Sequence, residues 1–389
     1  MHRFREVFYC MKITLVIDQY DKGNNGTTMT ARRFAGTLRS HGHQVSVLGA
    51  DCHGDEILYS TGISRFPVLY QVALSQGMVF ARVNKTIIRE AVKDADIVHF
   101  LLPFRLGHAA KKICDDLAIP STAAFHCQPE NITSTIYLNN LGVVNDFIYR
   151  WFRKFYDRFT HVHCPSEMIA HQLELHGYNA QLHVISNGVS PLFVHKNVDK
   201  PAALKERYII LMVGRYSREK RQDLIIEAVK KSRYESQIQL ILTGQGPWKG
   251  SLERLSRGLT NPVIFGFHDQ AQLLDIINYS DLYVHASDAE IEAISCMEAF
   301  SCGLVPVISN SRITATAQFA LSDMNLFEAG NSDSLRDRIE YWVDHPDLKK
   351  EFAQKYIEYS RQYQLDKCVT ELEEVFAREI EEFKNTRRK

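Results

Sequence analysis

Residues Asp288 to Ser309 read DAEIEAISCMEAFSCGLVPVIS. Two carboxylates, Glu290 and Glu298, stand eight positions apart, and the run passes Gly303 into the apolar segment Val305-Pro306-Val307-Ile308. That segment is apolar throughout rather than alternating, as a strand buried on both faces must be. Along one helix, eight residues cover roughly 12 Å. Two carboxylates so spaced do not share a proton, and they suit two contacts on one long ligand. The simpler alternative has Glu290 at a helix N-terminus, where a carboxylate is favoured, and Glu298 on a solvated face. Against it, Glu298 lies in Cys296-Met297-Glu298-Ala299-Phe300, where a carboxylate needs a partner or a ligand.

Outward from this stretch the same grammar recurs. Runs at 12–17, 44–48, 97–101, 121–125, 161–164 and 181–185 read as strands, with a helix over 28–41 after the first. The pattern breaks at Ser186-Asn187-Gly188-Val189, and the polar stretch to about 203 reads as a linker. Strands resume at 208–213, 238–242, 263–265, 282–285 and 305–308, and helices over 333–344, 347–361 and 366–384 close the chain. Strands alternating with helices predict an α/β fold with parallel sheets. The expected domains are 11–188 and 204–360, with a final helical piece in 361–389. Two such domains facing each other place a cleft at the carboxyl ends of both sheets, where ligands bind.

Length and composition exclude several classes. At 389 residues the chain is too long for one core. It has 46 basic and 46 acidic residues, so no global charge draws it to nucleic acid. No apolar run approaches the ~20 residues of a membrane-spanning helix. The first ten residues, MHRFREVFYC, lack the apolar stretch of a signal peptide, and Met11, just before the first strand, is an alternative start that leaves the standing of residues 1–10 open. The eight cysteines include no CxxC pair, which reads as reduced thiols in a cytosolic protein rather than a zinc site.

Four more motifs sit at strand ends. Asp21-Lys22-Gly23-Asn24-Asn25-Gly26-Thr27-Thr28 is a Gly/Asn-rich turn before a helix, able to offer backbone N–H groups to a phosphate or sugar. A plain turn capped by Thr27 or Thr28 is the simpler reading. It is not G-x-G-x-x-G, which argues against a dinucleotide oxidoreductase. Gly214-Arg215-Tyr216-Ser217-Arg218-Glu219-Lys220 follows a buried strand. Its Arg215 fork and Lys220 point charge suit a diphosphate that gains charge as it leaves. Gly244-Gln245-Gly246 after a strand either admits a base or ribose to the backbone or makes a tight turn. His126 directly follows a strand, at the edge that faces the expected cleft; the other fifteen of the 16 histidines form no pattern.

Taken in order, Gly214-Arg215-x-x-x-x-Lys220, Gly244-x-Gly246, Glu290-x7-Glu298 with Ala299, and Cys302-Gly303-x-x-Pro306-Val307 resemble glycosyltransferase family 4 over residues 11–385. The resemblance implies the GT-B architecture of two Rossmann-like domains facing across a cleft, with the final helix in 361–389 packing back on the first domain, and retaining transfer from a nucleotide-sugar without a metal or cofactor. Carried over, it gives Arg215 and Lys220 the leaving diphosphate, Glu298 the ribose hydroxyls and Glu290 the sugar hydroxyls. His126 falls beside the anomeric carbon, the Gly26 loop meets the donor phosphates or the acceptor, and Gly214, Gly244 and Gly246 line the donor. Two departures matter, one of them the run Cys127-Gln128-Pro129 after His126, which leaves the contacts there open. The family often follows its first Glu with Gly-Phe-Gly, whereas this chain has Ile291-Glu292-Ala293. That leaves the donor sugar open and makes Glu292 a rival of Glu290.

On the acceptor side, residues 149–158 interleave aromatics with Arg150, Arg153, Lys154 and Arg158 against Asp157, a local charge of +3. As a helix this presents an aromatic stripe flanked by cations to an anionic membrane surface, or else an aromatic core face with a solvated basic one. Residues 66–89 are a second such segment. Residues 290–309 and 147–166 are similar to bacterial family members that glucosylate diacylglycerol. The expectation is a hexosyltransferase using UDP-glucose. It acts on a hydroxyl of a membrane lipid such as diacylglycerol, in the cytoplasm, peripheral on the inner face of the cell membrane. The alternatives are a soluble or polysaccharide-precursor acceptor, a nucleotide-sugar epimerase, and a non-catalytic nucleotide-sugar-binding protein. The wide Glu290–Glu298 spacing disfavours the epimerase, and the presence of His126 disfavours the binding protein. Linkage position and oligomeric state are not set by the sequence.

Overall fold

The computed structural model describes residues 10–21, 26–52, 58–64, 79–135 and 142–387. Contacts divide the chain into two compact units. One comprises 1–127, 143–186 and 365–389, the other 128–142 and 187–364. All eight cysteines are free thiols, and all but Cys10 are buried.

The first unit is built on β1 Lys12–Val16, β2 Gln44–Gly49, β3 Leu58–Ser60, β4 Ile97–Phe100, β5 Ser121–Ala124, β6 His161–Cys164 and β7 Gln181–Val184. They form one parallel sheet in the order β3-β2-β1-β4-β5-β6-β7. β4, β5 and β6 are buried at every residue, which is why their sequences do not alternate. Helices between strands start at polar caps. Asn84 accepts the N–H groups of Thr86 and Ile87, and Ser166 that of Ile169. The last helix, Leu365–Arg387, belongs to this unit and buries Leu365, Cys368, Val369, Leu372, Val375 and Phe376. Its Glu373 lies 2.7 Å from His41 Nδ1 and 3.1 Å from His43 Nε2, and its Phe376 ring packs 5.1 Å from that of His99.

The second unit carries β8 Tyr208–Val213, β9 Ile238–Thr243, β10 Ile264–Gly266, β11 Leu282–His285, β12 Ala289–Glu290, β13 Pro306–Ser309, β14 Ile313–Thr314 and β15 Leu326–Phe327. Six of them make a parallel sheet, β10-β9-β8-β11-β13-β15, and β12 pairs with β14 separately. Its core takes in Ile209 to Met212, Leu240 to Leu242, Tyr283, Phe300 and Trp342. The stretch read as a linker is packed onto this unit. Val189 N–H donates to the Tyr363 carbonyl at 2.7 Å, and Phe193 joins the core. The 128–142 segment, expected within 11–188, also contacts this unit: Gln128 Nε2 donates to the Ile313 carbonyl at 3.2 Å.

In each sheet the first strand lies inside the order. β1 sits between β2 and β4, and β8 between β9 and β11. The strand order reverses there, and ligands of such sheets bind beyond the carboxyl ends at that point. Both units are therefore Rossmann-like, and the chain has the fold class expected of it.

Candidate active site

In the second unit the reversal point is bounded by the loops that leave β8 and β11. After β8 the chain turns through Gly214 and Arg215, and Gly214 and Tyr216 donate their N–H groups to Thr243 and Gln245 of the neighbouring loop at 2.9 and 3.0 Å. The two loops touch so closely that a Cβ on Gly244 would stand 1.9 Å from the Gly214 carbonyl oxygen, and one on Gly246 would stand 2.2 Å from that of Tyr216. On their Cβ side both glycines are closed by the protein's own backbone, as a tight turn requires. A Cβ on Gly214 would meet only the Lys220 side chain, Cδ at 3.8 Å and Cε at 4.0 Å, both ordinary contacts.

The turn Arg218–Lys220 is tied to β12. Asp288 N–H donates to the Glu219 carbonyl at 2.8 Å, and Arg221 Nη1 lies 3.1 Å from Asp288 Oδ2. This lacing brings the ammonium of Lys220 onto Glu290 Oε1. His285, the buried last residue of β11, places Nε2 3.0 Å from the same oxygen. Burial alone would raise the Glu290 pKa. The Lys220 charge, then the hydrogen bond and charge of His285, outweigh it and hold the carboxyl well below the usual range. Behind His285, Tyr283 Oη is 3.4 Å from Nδ1 and 3.1 Å from Ser295 Oγ. Arg215 is half-buried at the head of the turn. Burial lowers its pKa somewhat against the pull of Glu219, and a guanidinium remains charged regardless.

Glu290 and Glu298 do not share a helix. Glu290 is on the two-residue strand β12, and the helix Ile294–Ser301 begins only after Ala293, which lies in the left-handed region at φ 63° and ψ 65°. The roughly 12 Å of helix expected between them is therefore replaced by a strand, a turn and a short helical piece. Glu298 is buried on that helix, not on a solvated face. The rival Glu292 is buried too, and it is engaged: its carboxylate accepts the Asn187 N–H at 2.9 Å. It anchors backbone.

In the first unit, His126 follows β5 by two residues and is buried. Its ring stands nearly perpendicular to that of His163 at 5.4 Å. Burial, then His163 and His99, push its pKa well below the ordinary value, so it is a neutral imidazole, and its buried Nε2 has no hydrogen-bond partner among the described residues. Asp18, two residues past β1, is buried and accepts the Ala81 N–H at 2.9 Å. Burial outweighs that bond and raises its pKa to about 7. Gly26 opens the helix Gly26–Ser40 and is exposed, with nothing within 4 Å of a Cβ there; residues 22–25 of its loop lie outside the described residues. Sequence reading missed His285 and Asp18. Each ends an apolar strand run, as His126 does, and that was the signal available for them.

The basic aromatic segment forms the helix Gly142–Tyr156, but its stripe differs from expectation. Tyr149, Phe152, Phe155 and Tyr156 face the core, while Val143, Phe147 and Trp151 are 77%, 67% and 45% exposed. These three recur every fourth residue and share one face. Arg150 and Lys154 are exposed beside them, whereas Arg153 pairs with Asp157 and Arg158 with Asp115. Of the other segment, residues 66–78 lie outside the described residues. No described helix is long and apolar enough to cross a membrane, and no described group of three His, Cys, Asp or Glu is arranged to hold a metal ion.

Comparison with known proteins bears on the family and the fold. Residues 24–191 match the model of Glycosyltransferase Family 4, and residues 194–363 that of Glycosyl transferases group 1. The GDP-mannose-dependent alpha-mannosyltransferase of Corynebacterium glutamicum is 25% identical over 78% of this chain and 73% of its own. The alpha-monoglucosyldiacylglycerol synthase of Streptococcus pneumoniae is 23% identical over 77% and 71%. Among solved structures, the catalytic domain of the Helicobacter pylori cholesterol-alpha-glucosyltransferase is 41% identical over 40% of this chain and 99% of that one, with a TM-score of 0.39. Anabaena HepE in complex with UDP and glucose is 16% identical, covers 94% of this chain and 99% of that one, and has a TM-score of 0.72. The chain belongs to glycosyltransferase family 4 and is a glycosyltransferase that takes its sugar from a nucleotide-sugar.

Proposed function

We propose that the chain is a retaining hexosyltransferase that moves glucose from UDP-glucose to a hydroxyl of a membrane lipid. The observation that carries the donor half is the convergence of Lys220, Glu290 and His285 at the reversal point of the second sheet, with Arg215 on the loop that leads to Lys220. Arg215 and Lys220 take the diphosphate. Glu290 accepts from sugar hydroxyls, and Glu298 from the ribose. The bond from the anomeric carbon to the diphosphate oxygen breaks with its electron pair leaving on the phosphate, where fixed cations are worth most. The acceptor oxygen attacks the same face of the sugar and gives its proton to the departing phosphate. Two side-chain cations supply the charge that a metal supplies elsewhere, so turnover without added metal is expected. From the first unit we assign His126 a part in the same transfer as a neutral group.

The lipid half rests on the exposed Val143–Phe147–Trp151 stripe beside Arg150 and Lys154. Apolar side chains of this size, flanked by cations, suit the headgroup boundary of an anionic bilayer, here the inner face of the cell membrane. The named activity of the S. pneumoniae relative points to the same acceptor class.

A donor screen tests the reading. UDP-, GDP- and ADP-sugars are offered alone and with vesicles holding diacylglycerol, a monoglucosylated diacylglycerol or a sterol. Turnover of UDP-glucose, raised by lipid and yielding an α-glucoside, is expected. A preference for GDP-mannose, or equal rates with a water-soluble sugar acceptor and no gain from lipid, would overturn it. In flotation, Phe147→Glu with Trp151→Glu should lose vesicle binding; retention by that variant refutes the docking face.

A further inference from the structure

Lys220 and Glu290 have been given separate tasks, yet in the structure each holds the other. A diphosphate that reaches Lys220 must take the ammonium from a buried carboxylate. Such a carboxylate without a partner is costly, so something must remain with Glu290 when Lys220 moves on. Among the described residues, the other side chain on that carboxylate is His285, 3.0 Å from the same oxygen.

Its surroundings fix it there. His285 is fully buried at the end of β11, in the strand beside β8. Its ring stacks at 6.1 Å against that of Tyr283 two residues earlier. Tyr283 Oη is held in turn by Ser295 Oγ at 3.1 Å and the Val213 carbonyl at 3.4 Å, and Ser295 Oγ donates to that same carbonyl at 3.2 Å. The network thus runs from the last residue of β8, through the first turn of the helix that bears Glu298, to Glu290.

We infer that His285 is a positioning residue of the donor site: its Nε2–H keeps the Glu290 carboxylate compensated and aimed while Lys220 passes from Glu290 to the diphosphate. This rests on the roles given above to Lys220 and Glu290. Without His285, binding a diphosphate would leave Glu290 buried and alone, and affinity for the nucleotide would fall although His285 never touches it.

The test is calorimetry with UDP and GDP, alongside donor turnover, on the full chain. His285→Phe should weaken binding of the preferred nucleotide roughly ten- to a hundred-fold, the scale of one hydrogen bond to a charged group. His285→Gln, whose amide nitrogen reaches about where Nε2 does, should restore binding to within about three-fold of wild type, an outcome that loss of packing alone would not give. His285→Asn is too short to reach and should behave like the Phe variant; it also serves if the Phe variant does not fold. In a Glu290→Gln background the Phe substitution should change affinity less than about three-fold, because no buried charge is left to compensate. Wild-type affinity in His285→Phe or His285→Asn, while Glu290→Gln loses turnover, overturns the positioning role and leaves the donor reading intact. Wild-type turnover in Glu290→Gln would instead sink the donor reading itself.

Discussion

Glu290→Gln is expected to bind free UDP more tightly than the wild type and yet transfer sugar more slowly. In the structure Lys220 is committed to Glu290, and both side chains are largely shielded, at 20% and 11% exposure. A hydrogen bond to a charged group is worth about 1.5–3 kcal/mol. The neutral amide frees the ammonium from most of that bond and removes a negative charge beside the incoming diphosphate. If half of the bond energy returns to the nucleotide, the UDP dissociation constant falls roughly three- to ten-fold. The sugar half responds oppositely. Glutamine accepts a hydroxyl less strongly than a carboxylate does, and the loss of one such charged bond in the transition state lowers kcat/KM by roughly ten- to a hundred-fold. Isothermal titration with UDP and with GDP gives the first number, and initial rates of donor consumption give the second. Weaker nucleotide binding in Glu290→Gln would refute the reasoning, since it would mean that the carboxylate supports the phosphate site instead of competing for its lysine.

Four further expectations each rest on a single observation. Gly244→Ala should lower stability by about 2–3 kcal/mol or more, because its Cβ would collide with the Gly214 carbonyl carbon and oxygen; an unchanged melting temperature would contradict the close loop contact. Ala293→Gly should raise stability by up to about 1 kcal/mol, since the left-handed conformation costs alanine ~1–2 kcal/mol and glycine's looser unfolded chain returns ~0.5–1 of it; a melting temperature below wild type counts against the assigned backbone. Asp18 has a raised pKa, so its carboxyl binds a proton more readily folded than unfolded, and it costs stability increasingly as pH rises from about 4 to about 7. Asp18→Asn should therefore be more stable than wild type at about pH 8 and nearly equal at about pH 4 in denaturant titrations, and equal curves at both would refute the assignment. His41 shifts stability in the same direction with pH: burial lowers its pKa, but bonds to Asp366 and Glu373 outweigh this and raise it. Its contribution is full below about pH 6.5 and lost above the raised value, so His41→Gln should flatten the pH dependence by less than about 1 kcal/mol, Asp366 being 82% exposed.

The parallel strands were legible because burial on both faces leaves no room for polar alternation, so runs such as Tyr208–Val213 and Ile97–Phe100 announce themselves. The last helix was legible from its amphipathic spacing, and its seat on the first unit came from family resemblance. What escaped notice depends on distance in space. Spacing alone treated 290 and 298 as points on one helix, since nothing in Ile291-Glu292-Ala293 signals that Ala293 adopts a conformation usually left to glycine. Gly244 and Gly246 stood out as glycines, but only the neighbouring loop reveals what occupies the space they leave. The Lys220–Glu290 pair joins residues seventy positions apart, and His285 takes its meaning only from standing beside that pair. The 149–158 segment was sound as a helix, yet its periodicity could not say which of two aromatic faces turns inward.

The second unit is not one run of sequence. The chain enters it at Gln128, leaves it near Gly142 and returns at Asn187. The early insert carries the helix Pro129–Thr135, which packs on the Arg218–Lys220 turn and on β12, and Gln128, which caps the Ile313 carbonyl of β14. A gene cut to 187–364 would therefore yield a fragment stripped of the helix that packs on the turn of Lys220 and the strand of Glu290. Splicing the 128–142 piece back through a permuted connection is the way to produce that unit alone with this packing preserved.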